Sequence, residues 1–293
     1  MPEATPLLVR LQKTGKLSES EQKLAVFFEN QYPQVAFNNL EDISRLNNVS
    51  KATVTRFIRR LGYQNFKSFT RHLQDEVAQN FDSPLERSRS KTEISVGVGK
   101  KENLFQRHVQ LAQHDLQKTL NQMDEALLTR VTELVSDSRR PLFLMSAATG
   151  RTLLNYFYLL ARYHRPNIHL LGGTDRLAHD LIDIDANAVL LTTSFDRFPT
   201  SVITVMKQFH NCGADTVLLT NRRSSPLLRY AKYPLFIHSE AETIFKSRCS
   251  MLVLLETLVS AIGESSGQDN VERIDKMESL FKELNVFLHK ADK

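Results

Sequence analysis

Five short, unbroken apolar runs punctuate the second half of this 293-residue chain and restrict its fold more than any other feature. They are Pro141–Met145, Ile168–Leu171, Ala188–Leu191, Thr216–Leu219 and Leu235–Ile237. Helical patterns separate most of them, notably Thr152–Arg162, Val202–His210 and Thr243–Ser260. Ser225 and Pro226 are placed to open a shorter helix through Ala231. A strand without polar alternation is buried on both faces, and strands that alternate with helices pair in parallel. The expectation is an α/β domain over 102–270 with a roughly five-stranded parallel sheet. The tail from Gly267 carries Val271, Ile274, Met277, Leu280, Phe281, Leu284 and Phe287 at helical spacing. It reads as a C-terminal helix, set apart at 271–293, whose apolar face needs a surface in its own domain or in a partner subunit.

Upstream, the apolar period is helical. Ser18-Glu19-Ser20-Glu21 is a capping-box pattern, and Leu24, Ala25, Phe27 and Phe28 follow as an amphipathic helix that ends before Pro33. Leu40, Ile43 and Leu46 mark the buried stripe of a second helix capped by Asn39, with Glu41 and Asp42 in its first turn. Asn47-Asn48 breaks that pattern. Ser50 caps a third helix, in which Val54, Phe57, Ile58 and Leu61 form the apolar stripe and Gly62 ends it. Phe66, Phe69 and Leu73 continue as a further helix, completing an all-α unit over 1–80. Residues 81–101, with a proline, two glycines and several serines, read as a linker. From Glu102 to Met123, the positions Phe105, Val109, Ala112, Leu116, Leu120 and Met123 define one long amphipathic helix.

Two short helices joined by a tight turn, the second basic on its outer face, form a helix-turn-helix with a recognition helix. No Asp or Glu occurs between Asp42 and Asp75, whereas Arg45, Lys51, Arg56, Arg59, Arg60, Lys67 and Arg71 are basic. Such a segment neutralises phosphates and releases counterions. The candidate DNA-contacting residues are Ser50, Lys51, Ala52, Thr53, Thr55, Arg56, Arg59 and Arg60. The net charge of +5 and pI near 9.1 agree with an anionic partner without requiring one. Cys212 and Cys249 are the only cysteines, too few for a disulfide framework and not spaced as a metal site, which suits a reducing cytoplasm. The most apolar helix, near Met251–Ile262, is too short to span a bilayer, so no membrane association is expected.

The run NVSKATVTRFIRRLGYQNFKSFTRHL resembles the DNA-binding domain of the RpiR family of bacterial transcriptional regulators. The resemblance is carried by Ser50, Thr53, Val54, Arg56, Phe57, Leu61, Gly62, Phe66 and Phe69. The second half, from about Leu104 to Gly263, is similar to the sugar isomerase (SIS) domain that follows in that family. Thr220, Ser225, Pro226, Leu227, Ser247 and Arg248 match its pattern. The resemblance implies a regulator bound as a homodimer or homotetramer to a near-palindromic double-stranded operator. It also implies a small-molecule effector, a sugar phosphate or a sugar acid, and no cofactor.

In an open α/β sheet, ligands bind beyond the carboxyl ends of the strands. There the chain offers Ser146, Ala147, Thr149, Gly150 and Arg151 after the first strand, Thr193, Ser194, Asp196 and Arg197 after the third, and Thr220 after the fourth. Small residues before a helix let backbone amides approach an anion. The family's phosphate loops are altered: Ser146, Ala148 and Gly150 stand for its Gly, Gly and Ser, and Asp196 and Arg197 replace its second Ser and its Gly. Asp196 competes for the amides, while Arg197 and Arg151 restore positive charge.

The alternative is a sugar-phosphate isomerase with an accessory DNA-binding head, its base drawn from His238, Glu240 or Glu242. No partner for such a base is legible, and the nine histidines show no metal-ligand spacing. The expectation is therefore a regulator without catalytic or metal-binding residues. A protein that merely coats DNA would have no use for the α/β half, which is the larger part of the chain.

Overall fold

The computed structural model describes residues 7, 10–11, 14–15, 17–32, 34–79, 103–173, 175–195, 197–223, 225–239 and 245–288. They form two compact units, one helical at the N-terminus and one α/β.

The helical unit is built from α1 (Glu19–Gln31), α2 (Leu40–Leu46), α3 (Lys51–Arg60) and α4 (Phe66–Gln79), with a 3-10 turn at Gln34–Phe37. The capping box at Ser18 is closed in both directions: its Oγ accepts from the Glu21 N–H, and the Glu21 carboxylate accepts from the Ser18 N–H. Phe28 stacks on Phe69 at 5.2 Å and packs beside Phe57 at 5.8 Å, each ring fully buried and worth about 1.5–3 kcal/mol. Two departures from expectation arise here. Leu46 is 55% exposed rather than buried, because a seven-residue helix turns only Ile43 fully into the core. Leu7 and Leu11, ahead of the first expected helix, are helical and belong to the core.

The α/β unit begins with α5 (Leu104–Gln122) and α6 (Glu125–Ser136) and continues as β1 (Leu142–Met145), α7 (Ala148–His164), β2 (Ile168–Leu170), α8 (Leu177–Leu181), β3 (Val189–Thr193), α9 (Thr200–Asn211), β4 (Asp215–Thr220) and β5 (Tyr233–Phe236). Helices α10 (Cys249–Ser265) and α11 (Gly267–Glu283) complete it. All strand pairs are parallel, in the order β2-β1-β3-β4-β5, with Leu142 beside both Ile168 and Val189. Successive strand residues point to opposite faces. Leu142, Leu144, Val189, Leu191, Val217 and Leu219 therefore meet α6, α7 and α10 on one side. Met145, Leu190 and Leu218 meet α9 on the other.

Several boundaries differ from expectation. The fifth strand lies at Tyr233–Phe236 rather than Leu235–Ile237, since Pro234 is tolerated on an edge strand. The expected helix from Ser225 through Ala231 is a 3-10 turn over Pro226–Tyr230. The late helix starts at Cys249, and residues 245–248 are not helical. Half of the stripe expected to bury α5 is exposed, with Phe105 at 73% and Leu120 at 70%, while Ala112, Leu116 and Met123 are partly buried and the fully buried residues of the helix are Asp115 and Thr119. Thr119 Oγ1 accepts from the His238 N–H, so a polar contact orients α5. Helix α11 is covered only in part by its own unit: Tyr163 meets Phe281 and Arg273 donates to the Arg162 carbonyl, while Val271, Leu280, Leu284 and Phe287 of the expected stripe are exposed. The linker 81–101 lies outside the described residues. Among the described residues, no single helix is long and apolar enough to cross a membrane.

At the amino ends of the strands, Asp215 accepts from Arg140 at 2.8 Å and from Lys232 at 2.6 Å. Burial alone would raise its pKa, but the two cations together hold it below the ordinary aspartate value of 3.8. A depressed folded pKa contributes stability that is present above the unfolded value and lost as pH falls through the folded one. Asp215→Asn is therefore expected to be less stable than the parent at neutral pH, with the gap narrowing below about pH 4. Urea unfolding at several pH values measures this, and a constant gap would show that Asp215 does not carry the dependence.

Candidate functional site

The helix-turn-helix is set by its turn. Asn48 takes the left-handed conformation at φ 51°, which Asn tolerates better than most residues. Asn47 Nδ2 donates to the Ile43 carbonyl at 2.8 Å, and Ser44 Oγ to the Val49 carbonyl at 2.5 Å. Ser50 then caps α3, its Oγ accepting from the Thr53 N–H at 3.0 Å and lying 2.8 Å from Thr53 Oγ1. Val54, Phe57 and Ile58 are buried, which turns Lys51, Ala52, Arg56 and Arg59 outward with Ser50 at the helix start. Thr55 is partly buried and its hydroxyl donates to the Lys51 carbonyl.

The basic residues of this face are not equivalent. Lys51 pairs with Glu41 at 3.1 Å, Arg45 with Asp42 at 3.3 Å and Arg60 with Glu21 at 2.6 Å. Arg56 and Arg59 are exposed and have no acidic partner among the described residues. The acid-free interval between Asp42 and Asp75 conceals this, because Glu21 and Glu41 arrive from α1 and α2. Arg10, which sequence reasoning missed, donates to the Leu61 carbonyl at 2.9 Å and lies 4.7 Å over the Tyr63 ring. Gly62 must be glycine: its φ is 90°, and a Cβ added there would fall 2.8 Å from Arg10 Nη1.

In the α/β unit the strand order reverses between β1 and β3, and their carboxyl ends meet there. Ser146 Oγ donates to the Thr193 carbonyl at 2.9 Å, and a Cβ on Gly150 would fall 2.3 Å from Ser146 Oγ. Glycine at 150 is thus required by the close approach of α7 to the loop beneath it. Ala147 and Thr149 flank this point, and Ala148 has a left-handed φ of 48°. The hydroxyls expected to face a ligand are turned to protein partners. Thr193 Oγ1 donates to Met251 Sδ at 3.4 Å, Ser194 Oγ to the Arg197 carbonyl at 3.1 Å, and Thr220 Oγ1 accepts from the Arg222 N–H at 3.3 Å. Arg151 donates to the Leu171 carbonyl, and Arg197 is exposed. Asp196 lies outside the described residues.

Two cations at this end of the sheet rest on aromatic rings. Arg248 stacks 3.9 Å over Phe195, and Arg223 lies 4.3 Å over Phe236. Stacking on a ring is a regular use of arginine, but nothing in their spacing assigns the pairs. Of the candidate bases, the His238 ring lies 3.9 Å from the buried Asp115 carboxylate, while Glu240 and Glu242 lie outside the described residues. Among the described residues, no three metal-ligating side chains gather.

Residues 7–80 match the helix-turn-helix domain of the rpiR family, and residues 157–261 match the SIS domain. An HTH-type transcriptional regulator of Clostridium perfringens is 22% identical over 266 residues, 88% of this chain and 92% of that one. A counterpart from Thermotoga maritima is 22% identical over 93% of this chain and 96% of its own. The NanR protein of Vibrio vulnificus, solved in complex with ManNAc-6P, has a TM-score of 0.55 at 20% identity and covers 98% of this chain and all of its own. The sugar isomerase domain of an RpiR transcription factor from Sphaerobacter thermophilus has a TM-score of 0.56 at 15% identity, over 61% of this chain and 99% of its own. At such identities the two structures establish fold. Helix-turn-helix and SIS domain together define a two-domain transcriptional regulator. The chain carries the helix-turn-helix domain of the rpiR family followed by a SIS domain, and the relatives it matches over most of their length are HTH-type transcriptional regulators.

Proposed function

We propose that this chain binds a near-palindromic operator as a homodimer or homotetramer, and that a small metabolite in the α/β unit governs the binding without being transformed. The observation that carries the reading is the outward face of α3, where Arg56 and Arg59 stand exposed without acidic partners among the described residues, beside Ser50 and Ala52. Helices of this kind enter the major groove by their N-terminal residues, and two of them about 34 Å apart read the halves of a palindrome. For the metabolite, the support is the meeting of β1 and β3 at the topological switch point, with the opening of α7 directly above. NanR, similar in fold over nearly the whole chain, was solved with a sugar phosphate, which favours that class over an unphosphorylated sugar acid. Regulation then follows from a ligand that binds one arrangement of the DNA-binding heads more tightly than another.

The test is fluorescence anisotropy with the duplex upstream of the chain's own gene and a scrambled duplex of equal length, across a salt series. Preference for the upstream duplex that persists at moderate salt is expected, and a metabolite panel should shift it. Equal affinity for both duplexes throughout would overturn the proposal.

A further inference from the structure

The positive ends of two helices converge on the last residue of β3. Helix α7 opens at Ala148 and α10 at Cys249, and Thr193 touches both. Its Cγ2 would lie 3.2 Å from a Cβ on Gly150, and its Oγ1 donates to Met251 Sδ. The opening of α7 is the anion site expected from sequence. The opening of α10 carries its own polar groups, which that expectation leaves unused.

The first N–H groups of a helix have no intrahelical acceptor. At α10, the N–H of Cys249 donates to Ser247 Oγ at 3.3 Å, and Ser250 and Met251 follow in the same turn. Ser250 is only 4% exposed, yet its hydroxyl has no hydrogen-bond partner among the described residues. It lies on the buried stripe with Leu254, Leu258 and Ile262, and helical side chains lean toward the N-terminus of their helix. The hydroxyl is thus aimed toward the open end, where β3 finishes. A buried hydroxyl without a partner is destabilising, and a bound acceptor would relieve that cost. Arg248 immediately precedes this turn. Its guanidinium lies over Phe195, two residues beyond Thr193, and donates to Ser239 Oγ at 3.4 Å. A cation, a hydroxyl and a helix opening therefore share one end of the sheet.

We infer that the opening of α10 is a second anion subsite. There Arg248, the Ser250 hydroxyl and the N–H groups of Ser250 and Met251 take a phosphate or carboxylate group of the metabolite. The inference rests on the reading that this unit senses a metabolite. It adds that the metabolite presents an anionic group to the opening of α10, which a neutral sugar does not have.

The probes are inorganic phosphate and acetate, titrated separately into the full chain by calorimetry, together with crystals of the full chain soaked in selenate. Anomalous density is expected within hydrogen-bond distance of Arg248 and Ser250. Ser250→Ala should weaken binding of the preferred probe roughly tenfold, the loss of one hydrogen bond to a charged acceptor. It should leave the melting temperature without anion unchanged or raised, because the hydroxyl has no partner to lose among the described residues. Preference for phosphate or for acetate names the group recognised. Density only at α7, with Ser250→Ala binding as the parent does, would overturn the subsite and leave the sensor reading standing. An anion beside Arg248 whose affinity is indifferent to both Ser250→Ala and Arg248→Gln is an adventitious ion only, and equally overturns the subsite. No anion at either helix opening would overturn both readings.

Discussion

Replacing Arg56 and Arg59 together by alanine is expected to weaken operator binding on the order of a hundredfold or more, with the fold intact. Both side chains project from the outer face of α3 and make no acidic contact among the described residues, so their removal leaves no buried group unpaired. An arginine that reads a guanine contributes about 1–3 kcal/mol of discrimination, and its loss falls on the operator more than on random DNA. An arginine that touches only phosphate weakens both equally and lowers the salt slope by about one. Single variants against both duplexes in a salt series separate these roles. Lys51→Ala and Arg60→Ala should lose less, because a duplex must first draw those cations away from Glu41 and Glu21. A double variant with parental affinity for the operator would place the DNA-binding face elsewhere.

Arg165→Met is expected to destabilise the α/β unit by about 3–5 kcal/mol, lowering its melting temperature by roughly 10 °C. Arg165 is fully buried, and burial brings its pKa down to about 10. Its guanidinium donates to the carbonyls of Val135, Asp137 at 3.2 Å and Arg140 at 2.6 Å, with Nε reaching Pro166 at 3.3 Å. It thus closes the end of α6 and the turn leading into β1. Methionine keeps the volume and removes every donor, so these acceptors are left in a site that water does not reach freely. Lysine retains the charge but not the planar fork, and is expected to recover only part of the loss. Thermal and urea unfolding measure both variants. Parental stability in Arg165→Met would show that the carbonyls find other partners.

These arginines mark how far the chain can be read before its structure. The five strands and α3 announce themselves because their periods are local: Val189–Thr193 is an unbroken apolar and β-branched run, and Val54, Phe57, Ile58 and Leu61 recur at helical spacing. Arg165 shows nothing of the kind. It sits between a helix and a proline, where a solvated cation is the ordinary expectation, and only the fold brings three carbonyls to it. The pairing of Arg60 with Glu21, 39 residues earlier, escapes for the same reason. The α5 stripe misleads because apolar spacing shows which residues share a face, not whether that face is covered. In the candidate ligand site, Ser146, Thr193 and Ser194 stand out as small hydroxyl residues after strands. The same short side chains also reach neighbouring loops and strands, and that is where they are engaged.

The sheet's two borders have a consequence for self-association. One border is β2, three residues long, and the other is β5, which carries Pro234. Neither offers the long ladder of open amides and carbonyls that a strand from another molecule could zip onto. Among the described residues, these borders disfavour growth of the sheet into a continuous ribbon of copies. Phe105 and Leu120 lie exposed on α5, and contact through such a helical face does not depend on open strand edges.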